Sequence, residues 1–152
     1  MKIMDKLKPS AISCNLMGKN RKDVMEELAV LLAMNCGKNP DDILKAIWER
    51  EEGSSTALNG GVGVPHASVK GISEFYVGFG ISKKGVDCQS DDRKPTHLFF
   101  VFLAPSGDMS NRMDLLSKVS VLFSDESIKS ELLKAETAQE VLAIIGREEP
   151  NL

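Results

Sequence analysis

The sequence is poor in the residues that staple small or exported folds. It has three cysteines in 152 residues, Cys14, Cys36 and Cys88, odd in number and widely spaced. No CxxC pair occurs among them, which argues against a disulfide framework or a zinc site and reads as reduced thiols in a cytosol. Only two histidines are present, His66 and His97, and without carboxylates at ligand spacing they suggest no metal centre. A long apolar run is also missing. The N-terminal stretch MKIMDKLKPSAISCNLMGKN is broken by Asp5, Lys6, Lys8 and Pro9, so neither a signal peptide nor a membrane insertion is expected. Excess charge of one sign is absent too: a net charge of -3 offers no general attraction to nucleic acid or anionic lipid. No period repeats, and no Pro/Gly/Ser linker is long enough to separate a pair of domains. With 42% apolar and 27% charged residues, residues 1–152 read as a single domain that buries roughly 70% of its unfolded surface.

What is there reads as helices, then strands, then helices. Between Asn20 and Cys36, Val24, Leu28, Leu31 and Leu32 share one helical face, and Gly37 stands where that helix would end. Asn39, Pro40, Asp41 and Asp42 supply a cap, a first-turn proline and acids suited to the helix dipole. They open a second helix through about Glu49, with Ile43, Ala46 and Ile47 as its buried stripe. FYVGFGI (75–81) and HLFFVFL (97–103) read as strands, the latter apolar enough to be central and covered on both faces. The segments ASVKGISE and KKGVDCQSDDRKP read as turn-rich connections. Met113, Leu116, Val119 and Leu122/Phe123 mark a further helix, followed by two more at about 127–135 and 138–146. Thr137 and Glu140 form a capping box for the last. The expected fold is α/β, a central mixed β-sheet flanked by helices on both faces.

The informative short stretch is GGVGVPH, residues 60–66. Pro65 fixes its own φ and biases Val64 toward extended backbone, which constrains the chain entering His66. Gly60, Gly61 and Gly63 strip side chains from the approach, so an open imidazole reachable by a large partner is expected. Exposed amides in such a loop can form an anion-binding concavity. Upstream, Arg50 closes a helix, and Ser54, Ser55 and Thr56 add hydroxyls. Arginine, hydroxyls, glycines and histidine together make a phosphate-binding set. A solvated loop histidine, and an arginine that answers a helix C-terminus, are the plain alternatives. Neither GxxxxGK[ST] nor the dinucleotide fingerprint is present, so a nucleotide is not expected. Absence of GxSxG also argues against a hydrolase.

REEGSSTALNGGVGVPH (50–66), followed by LFFVFLAP (98–105), resembles the enzyme IIA domain of the fructose/mannitol type in the bacterial phosphotransferase system, including its nitrogen-regulatory branch. The likeness extends over nearly the entire chain. It implies that His66 accepts a phosphoryl group through Nε2 from the phosphocarrier HPr or a nitrogen-branch homologue, with Arg50 as the phosphate-facing cation. Ser55, Thr56, Gly61 and Arg112 are the further phosphate-binding candidates, and no cofactor is implied. Two departures stand out. Asn59 and Gly60 occur in the reverse of the family's usual order, and Arg112 occupies the place of a second histidine. His97 does not fill that role, and its position at a strand start suggests a structural or surface one.

The resulting expectation is a cytoplasmic phosphoryl relay whose phosphorylation state regulates partner proteins. A phosphate adds about -1.5 to -2 charges at one point, enough to change which partner surface is tolerated there. Other readings are a sugar-transport enzyme IIA that passes phosphate to a separate IIB component, and a binding module that keeps the fold without the transfer. A homodimer is left open.

Overall fold

The most apolar segment of the chain becomes its central strand. In the computed structural model, which describes residues 1–152, the strands are β1 (Leu7–Ser13), β2 (Ala57–Leu58), β3 (Val62–Gly63), β4 (His66–Val69), β5 (Tyr76–Val86) and β6 (Thr96–Pro105). β6 pairs antiparallel with β5 along one side, and parallel with both β3 and β4 along the other. β1 adds to β5 in parallel, and β2 pairs antiparallel with β3. The sheet is therefore mixed, in the order β1-β5-β6-β3-β2, with β4 continuing the β3 side of β6.

Alternation along β6 divides the core into two halves, because successive side chains point to opposite faces. Leu98, Phe100, Phe102 and Ala104 join one apolar cluster, while Phe99, Val101 and Leu103 join the other. The first face is covered by α4 (Met109–Leu122), α5 (Glu126–Lys134) and α6 (Ala138–Glu148), together with the short α1 (Ile3–Lys6). The second is covered by α2 (Arg21–Cys36) and α3 (Pro40–Gly53). Helices thus flank both faces, as the sequence pattern implies. α2 sits close to the sheet because β5 offers it glycines. A Cβ at Gly80 would lie 2.7 Å from Leu16 Cδ1 and 3.0 Å from Leu28 Cδ2.

Caps fix several boundaries as expected, except that the box ahead of α6 is closed by the amide of Glu136 and not by that of the cap residue Thr137. Asn20 Oδ1 accepts the Asp23 amide at 2.9 Å, and Gly37 ends α2 in the left-handed region at φ 72°. Asn39 Oδ1 accepts the Asp41 amide at 2.8 Å ahead of Pro40. Thr137 Oγ1 accepts the Glu140 amide at 3.1 Å, while the Glu140 carboxylate takes the Glu136 amide at 3.0 Å.

Four local expectations are corrected. α3 runs on to Gly53, which places Glu51 on its buried stripe with Ile43 and Ile47. β5 continues through Ser82–Val86, a stretch whose lysines and glycine read as a connection. ASVKGISE begins inside a strand, since β4 spans His66–Val69. α4 buries Leu115, Val119 and Leu122, whereas Met113, assigned to its apolar stripe by spacing, is 58% exposed.

Candidate functional site

His66 owes its position to the proline before it. Between β3 and β4 the ladder is interrupted at Val64 and Pro65, since proline has no N–H to give. There the Val64 amide donates to Thr56 O at 3.2 Å, and Pro65 O accepts the Phe102 amide at 3.2 Å. The chain rejoins β6 at once, with His66 opposite Phe102. The ring is consequently not in an open, glycine-flanked loop. It is 5% exposed and stacked on the Phe102 ring, with centroids 4.8 Å apart and planes 10° from parallel. Phe75 backs Phe102 in turn at 6.2 Å.

This packing sets the chemistry of the two ring nitrogens. Nδ1 lies 2.7 Å from Val64 O; a carbonyl can only accept, so Nδ1 carries the hydrogen and the lone pair falls on Nε2. Nε2 makes no hydrogen bond, yet it is not among the sealed polar atoms without a partner. Some of the ring's small exposed area therefore belongs to that nitrogen. Burial pushes the basicity of His66 below its ordinary value of 6.5; the Val64 bond opposes the shift, and the charges of Arg50 and Arg112 reinforce it. The ring is thus neutral at pH 7, the state in which an imidazole is a nucleophile.

Two guanidiniums on different helices place their charge near enough to act on the ring. Arg50, in the last turn of α3, donates from Nη1 to Ser54 O at 2.8 Å. Arg112, in α4, donates from Nη1 to Ser68 Oγ at 3.0 Å, and its Nε is sealed from solvent with no partner. Ser68 lies two residues beyond His66 on β4 and so shares its face of the sheet. Sequence reasoning missed Ser68, although its spacing of two from His66 was visible.

The other candidates are engaged elsewhere. Ser55 Oγ donates to Cys88 O at 2.6 Å and accepts the Ala57 amide at 3.1 Å. Thr56 Oγ1 donates to Glu51 Oε2 at 2.6 Å, and the same carboxylate accepts the Thr56 amide at 3.1 and 3.2 Å. The Thr56 hydroxyl ties the 54–56 turn to α3, and the Ser55 hydroxyl ties it to the segment that follows β5. Glu51, 2% exposed, was not singled out from sequence; its spacing of four from Ile47 was the available signal. Gly61 accepts the His97 and Leu98 amides at 2.9 and 3.1 Å. It therefore sits about 17 Å along β6 from the Phe102 level, at roughly 3.4 Å per residue. Gly63 serves packing as well, since a Cβ there would lie 3.3 Å from Phe99 Cδ1 and Thr96 Cγ2.

The reversed Asn59 and Gly60 acquire a local explanation. Asn59 Oδ1 accepts the Asp92 amide at 3.1 Å while the Gly60 amide donates to Asp92 Oδ2 at 2.8 Å. Gly60 takes φ 88°, and Lys129 Nζ donates to its carbonyl at 3.0 Å. The turn is stapled to the 90–94 loop, and the Gly60 and Lys94 amides with the Ser90 hydroxyl hold the Asp92 carboxyl down at about 2. His97 is structural in the same region, its Nδ1 donating to Ser82 O at 2.9 Å.

The chain is similar to proteins of one known family along nearly its whole length. Residues 5–148 match the family described as "Phosphoenolpyruvate-dependent sugar phosphotransferase system, EIIA 2". The chain is 34% identical over 148 residues to a fructose-specific EIIABC component from Bacillus subtilis, covering 97% of this chain but only 23% of that protein. It is 28% identical over 146 residues to a nitrogen regulatory protein from Bradyrhizobium diazoefficiens, covering 96% and 95% of the two chains. The crystal structure of the nitrogen regulatory protein IIA-Ntr from Neisseria meningitidis superposes with a TM-score of 0.89 at 29% identity, over 94% of this chain and 98% of that one. IIA mannitol from Escherichia coli shares the fold at a TM-score of 0.79 and 20% identity, over 92% and 99%. A match over nearly all its residues makes this chain a member of the EIIA 2 family of the phosphoenolpyruvate-dependent sugar phosphotransferase system.

Proposed function

We propose that the protein is a cytoplasmic phosphoryl relay that takes its phosphoryl group on Nε2 of His66. The observation that carries this reading is the 2.7 Å contact of Nδ1 with Val64 O, which leaves a directed lone pair on the nitrogen that no protein group occupies. In the transfer, that lone pair forms the new P–N bond while the bond to the donor's ring nitrogen breaks and its electron pair returns to the donor. The hydrogen stays on Nδ1, donated to Val64 O, so no proton leaves the ring in this step and the positive charge it gains is met by that carbonyl. Arg50 and Arg112 meet the charge on the phosphoryl oxygens, the main demand of a loose transfer state. Stacking on Phe102 holds the ring for in-line approach.

The donor is HPr or its nitrogen-branch counterpart, and the output is regulation of partner proteins through the phosphorylation state. Likeness to nitrogen regulatory proteins along most of both chains supports that output. The fructose-specific relative supports the alternative, onward transfer to a IIB component. No helix is long and apolar enough to cross a membrane. The test incubates the pure protein with enzyme I, a phosphocarrier and phosphoenolpyruvate and reads intact mass. The wild type gains one phosphoryl group and His66→Ala gains none; equal gain by both, or none by the wild type with several phosphocarriers, refutes the proposal. Adding a purified IIB component then separates the outputs, since loss of the group to IIB marks a transport role.

A further inference from the structure

Arg112 has a donor with nowhere to go. Its Nη1 is bound to Ser68 Oγ at 3.0 Å, but Nε, though cut off from solvent, has no acceptor. A buried donor left unmatched is costly and uncommon, and it points to a partner that arrives later. No group of the chain accepts from it. His66 and Ser68 are successive residues on one face of β4, about 6.6 Å apart along the strand at 3.3 Å per residue. A guanidinium tethered to Ser68 therefore stands beside the imidazole, with its Nε–H unspent.

We propose that Ser68 is a positioning residue, which holds Arg112 beside His66 so that the unmatched Nε–H and the free edge of the guanidinium receive a phosphoryl oxygen on Nε2. The proposal rests on His66 as the phosphoryl acceptor and assigns the residue that orients its second cation. An arginine is suited to this because its planar fork accommodates two oxygens and keeps its charge at any working pH. Flexibility is its weakness, and a tether to the same strand as the nucleophile restricts it. Met109 and Met113, 55% and 58% exposed on the same helix, supply no polar atom that could do so.

The first measurement is the equilibrium constant for phosphoryl transfer from the phosphocarrier to this protein, read as the phosphorylated fraction of each by intact mass. Arg112→Ala is expected to shift it toward the donor by roughly ten- to a hundredfold, the effect of losing a charge-assisted bond to phosphate. Ser68→Ala is expected to shift it in the same direction by about threefold, since that tether is exposed. Ser68→Thr, which keeps the hydroxyl, stays within about twofold of wild type. In Arg112→Ala, the further change Ser68→Ala has no effect, because its only route is through the arginine. A second measurement needs no phosphoryl group: NMR titration of the His66 ring. Arg112→Ala raises the His66 midpoint, and Ser68→Ala raises it some of the way. An unshifted equilibrium in Arg112→Ala overturns the phosphate contact. Unchanged equilibrium and titration in Ser68→Ala, or equal effects of Ser68→Ala with and without Arg112, overturn the positioning role. If the titration couples Ser68, Arg112 and His66 but wild type takes no phosphoryl group, the tether stands and the phosphoryl reading falls.

Discussion

Replacing Glu51 by alanine tests whether a buried carboxylate organises the turn that carries Arg50. Glu51 is 2% exposed and sits one turn beyond Ile47 on the buried stripe of α3. It takes the Thr56 hydroxyl at 2.6 Å and the Thr56 amide at 3.1 and 3.2 Å, and none of the ion pairs of the molecule involves it. Two bonds to a charged acceptor contribute about 1.5–3 kcal/mol each. Some of that is offset by the desolvation of a carboxylate without a cation. A net loss of about 3 kcal/mol is expected for Glu51→Ala, because both Thr56 donors are stranded. For a chain of this length it corresponds to roughly 6–12 °C in Tm. Glu51→Gln keeps one amide oxygen as acceptor and should lose about half as much. Thr56→Val removes only the hydroxyl and should lose about 1.5 kcal/mol, the lower end of that range. Urea and thermal unfolding followed by circular dichroism give the values, and the double variant Glu51→Ala/Thr56→Val should fall short of the sum of the singles. Because Ser54 O holds Arg50 Nη1 at 2.8 Å, Glu51→Ala should also slow phosphoryl acceptance below the melting range. A Glu51→Ala protein within about 0.5 kcal/mol of wild type would refute the reasoning, since the carboxylate would then be no better than the space it leaves.

Three other outcomes follow from particular atoms. The folded His66 is less basic than its ordinary value of 6.5, chiefly through burial. The unfolded chain therefore binds more protons below that value, so stability falls as pH drops under about 6.5 and is flat with respect to this group above it. His66→Gln should flatten the acid limb in a pH series of urea midpoints, and an unchanged limb would count against the shift. Gly80→Ala should cost about 1–3 kcal/mol because its Cβ would meet Leu16 Cδ1 at 2.7 Å. Gly53→Ala, at a helical position with no atom within 4 Å, should be neutral or stabilising by up to about 1 kcal/mol. Reversal of that order in Tm would show that the close packing of α2 on β5 is not limiting. Burial pushes the Cys88 thiol up to about 11, so it should resist a thiol-alkylating reagent at pH 8 in the folded protein and react only after unfolding. Labelling at the unfolded rate, read by peptide mass, would contradict the burial.

The elements that local chemistry specifies were legible. Asn20, Gly37, Asn39, Pro40 and Thr137 each punctuate a helix through a bond or a φ value made within a few residues. Elements that depend on distant pairing were not. β1 contains Pro9 and has a register shift between Leu7 and Ile12; an edge strand tolerates both, but together they erase the alternation. β4 hid because its partner is β6, some thirty-five residues on, while its local signals were a proline and small residues. On α4, Val119, Leu122 and Phe123 of the expected stripe are buried and Leu116 packs against the same cluster, but Met113 was placed on it in the position that Leu115 holds, because both fit helical spacing from Val119. At the site, His66 and Arg50 were visible through their motif. Openness of the ring was inferred from the preceding glycines, and the sheet reverses that inference: those glycines lie toward the Thr96 end of β6, and the ring packs on Phe102.

A nearly buried acceptor at first looks ill suited to a reactant that is itself a protein. Three constraints make the burial useful. Stacking on Phe102 fixes the ring plane, Val64 O fixes the tautomer, and the low polarity of the surroundings keeps the ring uncharged. Each removes a way for Nε2 to be absent or misdirected when a donor docks, which is how preorganisation lowers a transfer barrier. The same packing determines what a partner senses. Before transfer, the site offers two guanidiniums around a neutral ring, a local charge near +2. A phosphoryl group brings about -1.5 to -2, which nearly cancels it. On the phosphoryl reading, the surface changes from cationic to near neutral. A site with one permanent cation and a neutral second histidine would instead change from weakly cationic to anionic. Arg112 thereby sets the sign of the signal: partners with acidic faces should prefer the unphosphorylated protein, and the preference should weaken as salt rises and screens exposed charge. Arg112→Ala halves the resting charge, so it should weaken the unphosphorylated complex with an acidic-faced partner and leave a phosphorylated protein with a net negative site.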